Sequence, residues 1–265
     1  LAGGLYPTYN PEPLADVFDA ILIGEGEDAL QLILHVLKDR SNRQKTLDSL
    51  SAIRGVYVPE AYEPILLCDK RNSHRRNRSI NKIKQTVPVD IDLYPAHTVI
   101  SSSKSIYERH CYAIELRRGC SFNCKFCSIG NTTKPARLMS ENVFSSTIAN
   151  GVKQTKIIKL FYEGIPALIL QKYFDIASNM DAEVRVGSQR LETTSFQVID
   201  SVAGFGQKKI TFAPETTNNL RMVLGKPQIS DNELFDKIEY TLQKGICNIG
   251  LYFILGVPHE TRDDV

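Results

Sequence analysis

The sequence predicts an α/β protein with a parallel sheet. Two observations carry that expectation. From residue 111 to the carboxyl end, short apolar segments alternate with helix-length segments of mixed polarity, which is the pattern of successive βα units. The short segments are also apolar nearly throughout, as strands are when both faces of a sheet are covered.

The elements follow in order. "CYAIELR" (111–117) reads as a strand and "SENVFSSTIANGVK" (140–153) as a helix with Ser140 as N-cap. "KIIKLFY" (156–162) is the second strand, and "PALILQKYFDIASNM" (166–180) a helix with Pro166 in its first turn. "EVRVGS" (183–188) is the third strand, and "TSFQVIDSVAGFG" (194–206) a helix that runs out in glycines. "KKITFAP" (208–214) is the fourth strand. "SDNELFDKIEYTLQKG" (230–245) is a helix with a capping box of Ser230 and Glu233 and a terminal Gly245. "CNIGLYFIL" (247–255) is the fifth strand. Nearer the amino end, "FDAILIGEGEDALQLILHVLKDR" (18–40) is one strand, a Gly-Glu loop and a helix, a single βα unit that needs a sheet to join. Residues 41–110 are irregular and read as a connecting segment, with a hairpin in "GVYVPEAYEPILLCD", a basic stretch and "VPVDIDLYPAHTVI".

With 265 residues, 42% hydrophobic and 23% charged, the composition is that of a globular chain with material for a sizeable core. A net charge of +2 gives no general pull toward nucleic acid or acidic membranes. No apolar run approaches the roughly 18 residues that span a bilayer; the best, "ALQLILHVL" (29–37), is interrupted by Gln31 and His35. No charged segment leads into an apolar one at the start, so a signal peptide is not expected. The protein reads as cytoplasmic, with reduced cysteines. The absence of an initiator Met, and an end at "PHETRDDV" without the next helix, suggest a fragment of a longer chain.

Three of the six cysteines fall in "GCSFNCKFCSIG" (119–130). Cys68, Cys111 and Cys247 read as small buried hydrophobes. The three in the loop do not: an odd cluster cannot fully pair as disulfides, so a metal or metal cluster is expected. Structural zinc takes four closed ligands and ferredoxin-type clusters take four cysteines. Here only Cys120, Cys124 and Cys127 are local, and His110 lies at the far end of the strand. Three thiolates on a four-iron cluster would leave one iron open, and chemistry at a metal requires an open position. The loop follows the first strand of the series, where βα barrels carry their functional loops.

Cys120, Cys124, Phe126 and Cys127 match the C-x3-C-x-aromatic-C signature of radical S-adenosylmethionine (SAM) enzymes, and residues 111–265 resemble that family. The resemblance implies a TIM-like partial (β/α)6 barrel with its first five strands present. It implies a [4Fe-4S] cluster on the three thiolates and SAM chelating the open iron. An electron from the reduced cluster would then cleave SAM to a 5′-deoxyadenosyl radical that abstracts hydrogen from the substrate. A reductant such as ferredoxin or flavodoxin is implied as partner. Phe126 is expected near the cluster and the adenine. "YEGIP" (162–166) stands where the family has a Gly-Gly-Glu-like turn, keeping Gly164 and a displaced Glu163. "GSQRLET" (187–193) puts Ser188 and Arg190 where polar SAM contacts occur, and Arg can hold a carboxylate bidentately; the alternative is a solvated strand end. "FAPET" (212–216) puts Glu215 at the same rim, or at a helix start favoured by the dipole. "YFILGVPHE" (252–260) resembles the family's adenine-flanking G-x-I-x-G-x-x-x-E in Ile254, Gly256 and Glu260, with Tyr252 in place of the first glycine.

"GGLYPTYNPEPLADVFDAILIGEGED" (3–28) resembles the last part of the cobalamin-binding domain that precedes many radical SAM barrels. Gly3 and Gly4 fit the Gly-Gly pair that approaches the nucleotide tail of the cofactor, and the amides of "GEGE" (24–27) could face a ligand. The alternative is glycine turns of any α/β fold. A single βα unit cannot form the pocket, and the Asp-x-His-x-x-Gly stretch that ligates cobalt in some such domains is absent from these residues.

"KRNSHRRNRSINKIK" (70–84) carries seven Lys/Arg and no acid. A solvated linker is the favoured reading of such a run over docking of RNA. The domain expectation is therefore 1–40 as the end of a cobalamin-binding domain, 41–110 as linker and 111–265 as radical SAM core. The functional expectation is a cobalamin-dependent C-methyltransferase acting on a small-molecule, peptide or RNA substrate. Two alternatives stay open: a radical SAM enzyme of another type, such as a tRNA or ribosomal-protein methylthiotransferase, and a zinc-stapled α/β binding module without catalysis. The first usually has three further cysteines in an amino-terminal domain, for which Cys68 and Cys111 are too few and too far apart.

Overall fold

The structure is a computed structural model that describes residues 1–38, 42–66, 73–77, 82–88, 90–99 and 110–265. The chain forms two compact units, 1–89 and 90–265. No helix among the described residues is long and apolar enough to cross a membrane.

The first unit contains α1 (Leu5–Tyr9), β1 (Ile21–Leu22), α2 (Glu27–Lys38), α3 (Arg43–Ser51), β2 (Val56–Tyr57), β3 (Tyr62–Leu66) and β4 (Ser73–Asn77). The lone βα unit finds its sheet partners nearby: β1 pairs antiparallel with β2, and Ala2 bridges Ile21 in parallel. Ala29 and Ile33 of α2 and Leu47 and Leu50 of α3 pack on Ala20, Leu22, Val56 and Val58. Because 56–57 is taken by β1, the expected hairpin shifts downstream, and β3 pairs antiparallel with β4. Cys68, and residues 70–72 and 78–81 of the basic stretch, lie outside the described residues.

The second unit runs β5 (Cys111–Glu115), β6 (Arg117–Arg118), α4 (Ser128–Thr132), β7 (Arg137–Leu138), α5 (Glu141–Val152), β8 (Ile157–Phe161), α6 (Ala167–Asn179), β9 (Glu183–Val186), β10 (Ser188–Gln189), α7 (Phe196–Gly204), β11 (Lys209–Glu215), α8 (Asn218–Arg221), α9 (Asp231–Gln243) and β12 (Asn248–Phe253). β5, β8 and β9 form one parallel sheet, and β10, β11 and β12 another. β9 and β10 are one chain segment interrupted at Gly187, so five parallel strands stand side by side in sequence order. The α/β class and the sequential parallel order are as predicted. Among the described residues no pairing returns from β12 to β5; the outer edge of β5 instead carries residues 96–98, with Thr98 N–H donating to the Ala113 carbonyl at 2.9 Å.

Gln207 joins the two sheets. Val186, at the end of β9, donates its N–H to Gln207 Oε1 at 2.8 Å, and Gln207 Nε2 donates to the Val186 carbonyl at 3.2 Å and to the Lys209 carbonyl at 2.6 Å. A buried side-chain amide thus satisfies strand groups that would otherwise be left without partners.

The core lies between strands and helices. Ile114, Ile158, Leu160, Val184, Ile210 and Phe212 meet Phe144 and Ile148 of α5, Leu170 and Phe174 of α6, and Val198 and Val202 of α7. The strands look apolar throughout in sequence, yet burial in β5 and β8 alternates. One parity packs on the helices. The other, including Ala113, Glu115 and Phe161, lines a cavity on the concave side.

Two caps differ from expectation. Pro166 is the N-cap of α6 and lies outside its first turn. In α9 only half of the capping box forms: Ser230 Oγ accepts from Glu233 N–H at 3.2 Å, but the Glu233 carboxylate turns to Lys237 at 3.0 Å. Lys237 is nearly buried and donates to the Leu191 carbonyl, so its charge takes Glu233. Gly245 ends the helix with φ +79°, the left-handed conformation expected of a terminal glycine.

Candidate cluster and cofactor site

A cavity of about 710 Å³ opens at the carboxyl ends of the strands in the second unit. Cys120, Cys124, Cys127 and Phe126 line one side. Glu115, Phe161 and Glu163, then Ser188 to Arg190, then Ala213 and Glu215, line the others.

The cysteine loop is built to hold its shape. β6 and β7 pair antiparallel, Arg117 opposite Leu138, and close the intervening chain into a ring. Gly119 takes φ +79°, and a Cβ there would overlap the Thr133 carbonyl, so only glycine fits. Asn131 Nδ2 donates to the carbonyls of Cys124 at 3.0 Å and Cys127 at 2.7 Å. Cys127 caps α4, its Sγ accepting from Gly130 N–H at 3.4 Å. Lys125 N–H donates to the Leu224 carbonyl at 2.9 Å, tying the loop to the region beyond β11. Cys120 and Cys124 are buried and Cys127 half-buried.

Among the described residues, no three His, Cys, Asp or Glu side chains converge so as to share one metal ion. A structural zinc would need its sulfurs about 2.3 Å from a single point. A multi-iron cluster, in which each iron takes one thiolate, asks for thiols around a common volume, and these three line one. The volume is within the roughly 300–1,000 Å³ of small-molecule sites. Donor set and cavity therefore fit a cluster with a cofactor beside it.

Charge is concentrated at the wall opposite the loop. Arg190 Nη1 donates to Cys124 Sγ at 3.0 Å, and its guanidinium carbon lies 3.8 Å from the centre of the Phe122 ring. Its Nη2 bonds Glu192. Glu192 also accepts from Arg221 Nη2 at 3.1 Å and lies 3.9 Å from Lys226, which reaches Glu215 at 3.2 Å. Arg190, Lys226 and Glu215 of this network line the cavity, with Glu192 and Arg221 behind them. Burial pushes the Lys226 ammonium below its ordinary value, with Glu192 and Glu215 opposing the shift. Arg117, whose Nη1 bonds the Gly164 carbonyl, is likewise lowered by burial, against the pull of Cys120 and Glu163.

The cavity thus gathers Cys120, Cys124, Phe126, Cys127, Ser188, Arg190 and Glu215. Phe126 is 46% exposed and forms part of the rim. Gly164 lies behind Phe122 and does not line the wall. Ile254 and Gly256 are also off the wall: Ile254 packs with Leu220, Leu224 and Val257, and Gly256 N–H donates to Glu260 at 2.6 Å. Gly3 and Gly4 belong to the first unit, just past the parallel bridge of Ala2. Cys111 is half-buried and Cys247 exposed, unlike the buried hydrophobes expected. Sequence reasoning missed Phe122, Glu192, Arg221 and Lys226. Phe122 stands between the first two cysteines and Glu192 two residues past Arg190, near enough to have been read; Lys226 carries no local signal.

Comparison with known proteins agrees with this geometry. The family described as "Radical SAM superfamily" matches residues 114–265, more than half of the chain, and "Radical SAM proteins, N-terminal" matches residues 1–59. The uncharacterized protein MJ0966 of Methanocaldococcus jannaschii is 24% identical over 271 residues, covering 100% of this chain and 53% of its own length. A structure of the cobalamin-dependent S-adenosylmethionine radical enzyme OxsB with aqua-cobalamin bound is 16% identical, with a TM-score of 0.61 over 96% of this chain and 36% of that one. A structure of the radical S-adenosylmethionine methyltransferase TsrM from Kitasatospora setae, with tryptophan substrate and a SAM analog bound, is 12% identical, with a TM-score of 0.64 over 99% and 51%. The chain spans about half the length of the curated relative and of TsrM, and about a third of OxsB. With its fold shared at that level and most of its second unit matched, the chain belongs to the radical SAM superfamily.

Proposed function

We propose that the protein carrying this chain cleaves SAM reductively and uses the product in a cobalamin-dependent C-methylation. The observation that carries the reading is the gathering of Cys120, Cys124 and Cys127 around one cavity at the carboxyl ends of the strands, with Arg190 against Cys124. When bound, the cluster would supply one electron to the sulfonium of SAM and cobalamin would carry the methyl group. The residues of this chain do the rest. The three cysteines hold the cluster. Arg190 lines the cavity, and its planar guanidinium can meet a carboxylate there.

Support for cobalamin comes from the match over residues 1–59 and from the printed descriptions of the two solved relatives. Gly4, with φ +105° and no atom within 4 Å of a built Cβ, leaves room for close approach of a ligand to the backbone. The test is anaerobic reconstitution of the full-length protein with iron, sulfide and cobalamin. Under reductant it should convert SAM to 5′-deoxyadenosine, detected by mass spectrometry. Iron-loaded protein that never forms 5′-deoxyadenosine would refute the reading; turnover with no spectral change on adding cobalamin would remove the methylation part alone.

A further inference from the structure

We propose that Glu192 is a positioning residue that locks Arg190 onto the sulfur of Cys124 and thereby raises the reduction potential of the cluster. This rests on Cys124 being a cluster ligand, as in the function proposed above. Arg190 Nη1 is 3.0 Å from Cys124 Sγ, and the opposite terminal nitrogen is bound by Glu192. Both side chains are largely buried, at 15% and 9% exposure. Glu192 is itself held from behind. Its second oxygen accepts from Arg221, whose side chain is 1% exposed and is anchored by Nε to the Pro227 carbonyl at 2.8 Å and by Nη1 to the Pro214 carbonyl. The order of support runs from backbone to Arg221 to Glu192 to Arg190 to sulfur.

One further atom marks how firmly the orientation is set. Arg190 Nε is buried and has no hydrogen-bond partner. A buried donor left unmade costs roughly 1–3 kcal/mol. The guanidinium accepts that cost while its carbon lies 3.8 Å from the centre of the Phe122 ring, with its two ends committed to Glu192 and to sulfur. An arginine free to choose would turn to satisfy all of its donors.

Reduction of the cluster adds one electron and breaks no bond. Hydrogen bonds to the sulfurs and nearby net charge are among the factors that set such potentials. A cationic donor on Cys124 stabilises the reduced form, which carries the extra negative charge. Glu192 as a bare anion has the opposite effect, since it repels the added electron. The two roles of Glu192 therefore predict opposite signs on its removal.

The experiment is a redox titration of the reconstituted full chain, poised with dithionite and mediators and read by the electron paramagnetic resonance of the reduced cluster. Iron and sulfide content are measured alongside. Arg190→Met should lower the ratio of reduced to oxidised cluster at the wild-type midpoint by about tenfold, which is about 59 mV for a one-electron couple. Arg190→Lys keeps the charge but loses the fork and should fall between the two. Glu192→Gln should lower the potential in the same direction, and should no longer do so in the Arg190→Met background. A rise on Glu192→Gln, or the same fall in both backgrounds, overturns the proposal. If Glu192→Gln assembles no cluster, the arginine pair still decides: wild-type potentials in both Arg190 variants overturn it. Wild-type chain that takes up no iron overturns the proposed function and this inference with it, whereas a wild-type cluster whose potential is the same in every variant overturns the inference alone.

Discussion

Gly164 lies against the ring of Phe122: a Cβ built on it would come within 2.7 Å of Cε2. Gly164 also has φ +75°, where a side chain is disfavoured by about 1–2 kcal/mol. Phe122 in turn carries the Arg190 guanidinium on its face. The turn after the second strand, the cysteine loop and the charged wall are thus stacked in one order, and a methyl group on Gly164 pushes on all three. Gly164→Ala should destabilise the chain by about 2 kcal/mol or more, a fall in Tm of several degrees at this size. It should also weaken SAM binding to the reconstituted protein, measured by equilibrium dialysis. A variant with wild-type Tm and wild-type SAM affinity would show that the ring makes no such contact.

Gln207 provides a test of how the two sheets are joined. Its side chain satisfies both backbone groups of Val186 and the Lys209 carbonyl. Gln207→Leu is close in size but leaves those groups unpaired in the interior. Each such group costs about 1–3 kcal/mol, so a loss of at least about 2 kcal/mol is expected in urea unfolding. The m-value should stay the same, because the surface exposed on unfolding hardly changes. An unchanged midpoint would mean that water replaces the amide.

Tyr162 gives a pH-dependent case. Its hydroxyl donates to Gln189 Oε1 at 2.7 Å, and both residues are buried. Burial pushes the phenol above its ordinary value, and the hydrogen bond to Gln189 pulls weakly the other way. A group whose folded value is raised contributes stability that is complete below its unfolded value, about pH 10, and is lost as pH rises beyond it. Tyr162→Phe should therefore cost about 1–3 kcal/mol at pH 8, mostly from the orphaned Gln189 oxygen, and the gap from wild type should narrow above pH 10. Thermal unfolding of both forms at pH 8 and at pH 10.5 measures it; a gap that widens with pH would contradict the assignment.

The sequence carried the parts of this protein that are local or periodic. The main strands and the longer helices between β5 and β12 are legible because each is specified within its own span, as with Ser140 and Ser230, whose hydroxyls accept from the third residue of their helices. The cysteine motif was legible because its ligands share one loop. Contacts made across the fold were not. Gln207 reads as a polar residue in a loop after Gly206, and only the splay at Gly187 gives it a task. The local pattern makes Glu233 a cap, but the buried Lys237, one turn on, competes for its carboxylate. Lys226 lies 36 residues past Arg190 by numbering and reaches the same wall only because α8 turns the chain back after β11.

Asn131 separates the integrity of the loop from the stability of the fold. Its amide donates to the carbonyls of both Cys124 and Cys127, and neither bond contributes to the packing of strands on helices. Two net hydrogen bonds of about 1 kcal/mol each hold the loop closed. Their loss should raise the open fraction of the loop by tenfold or more, while the core around Phe144 and Phe174 is untouched. Asn131→Ala should therefore release iron to a chelator about tenfold faster than wild type, with Tm of the metal-free chain lowered by no more than the few degrees that about 2 kcal/mol represents at this size. Iron release and Tm are to be followed on the same preparation. Equal release rates would mean that the ring closed by β6 and β7 is sufficient to hold the cysteines; a large fall in Tm with little change in release would mean that Asn131 supports the fold and leaves the metal loop to other contacts.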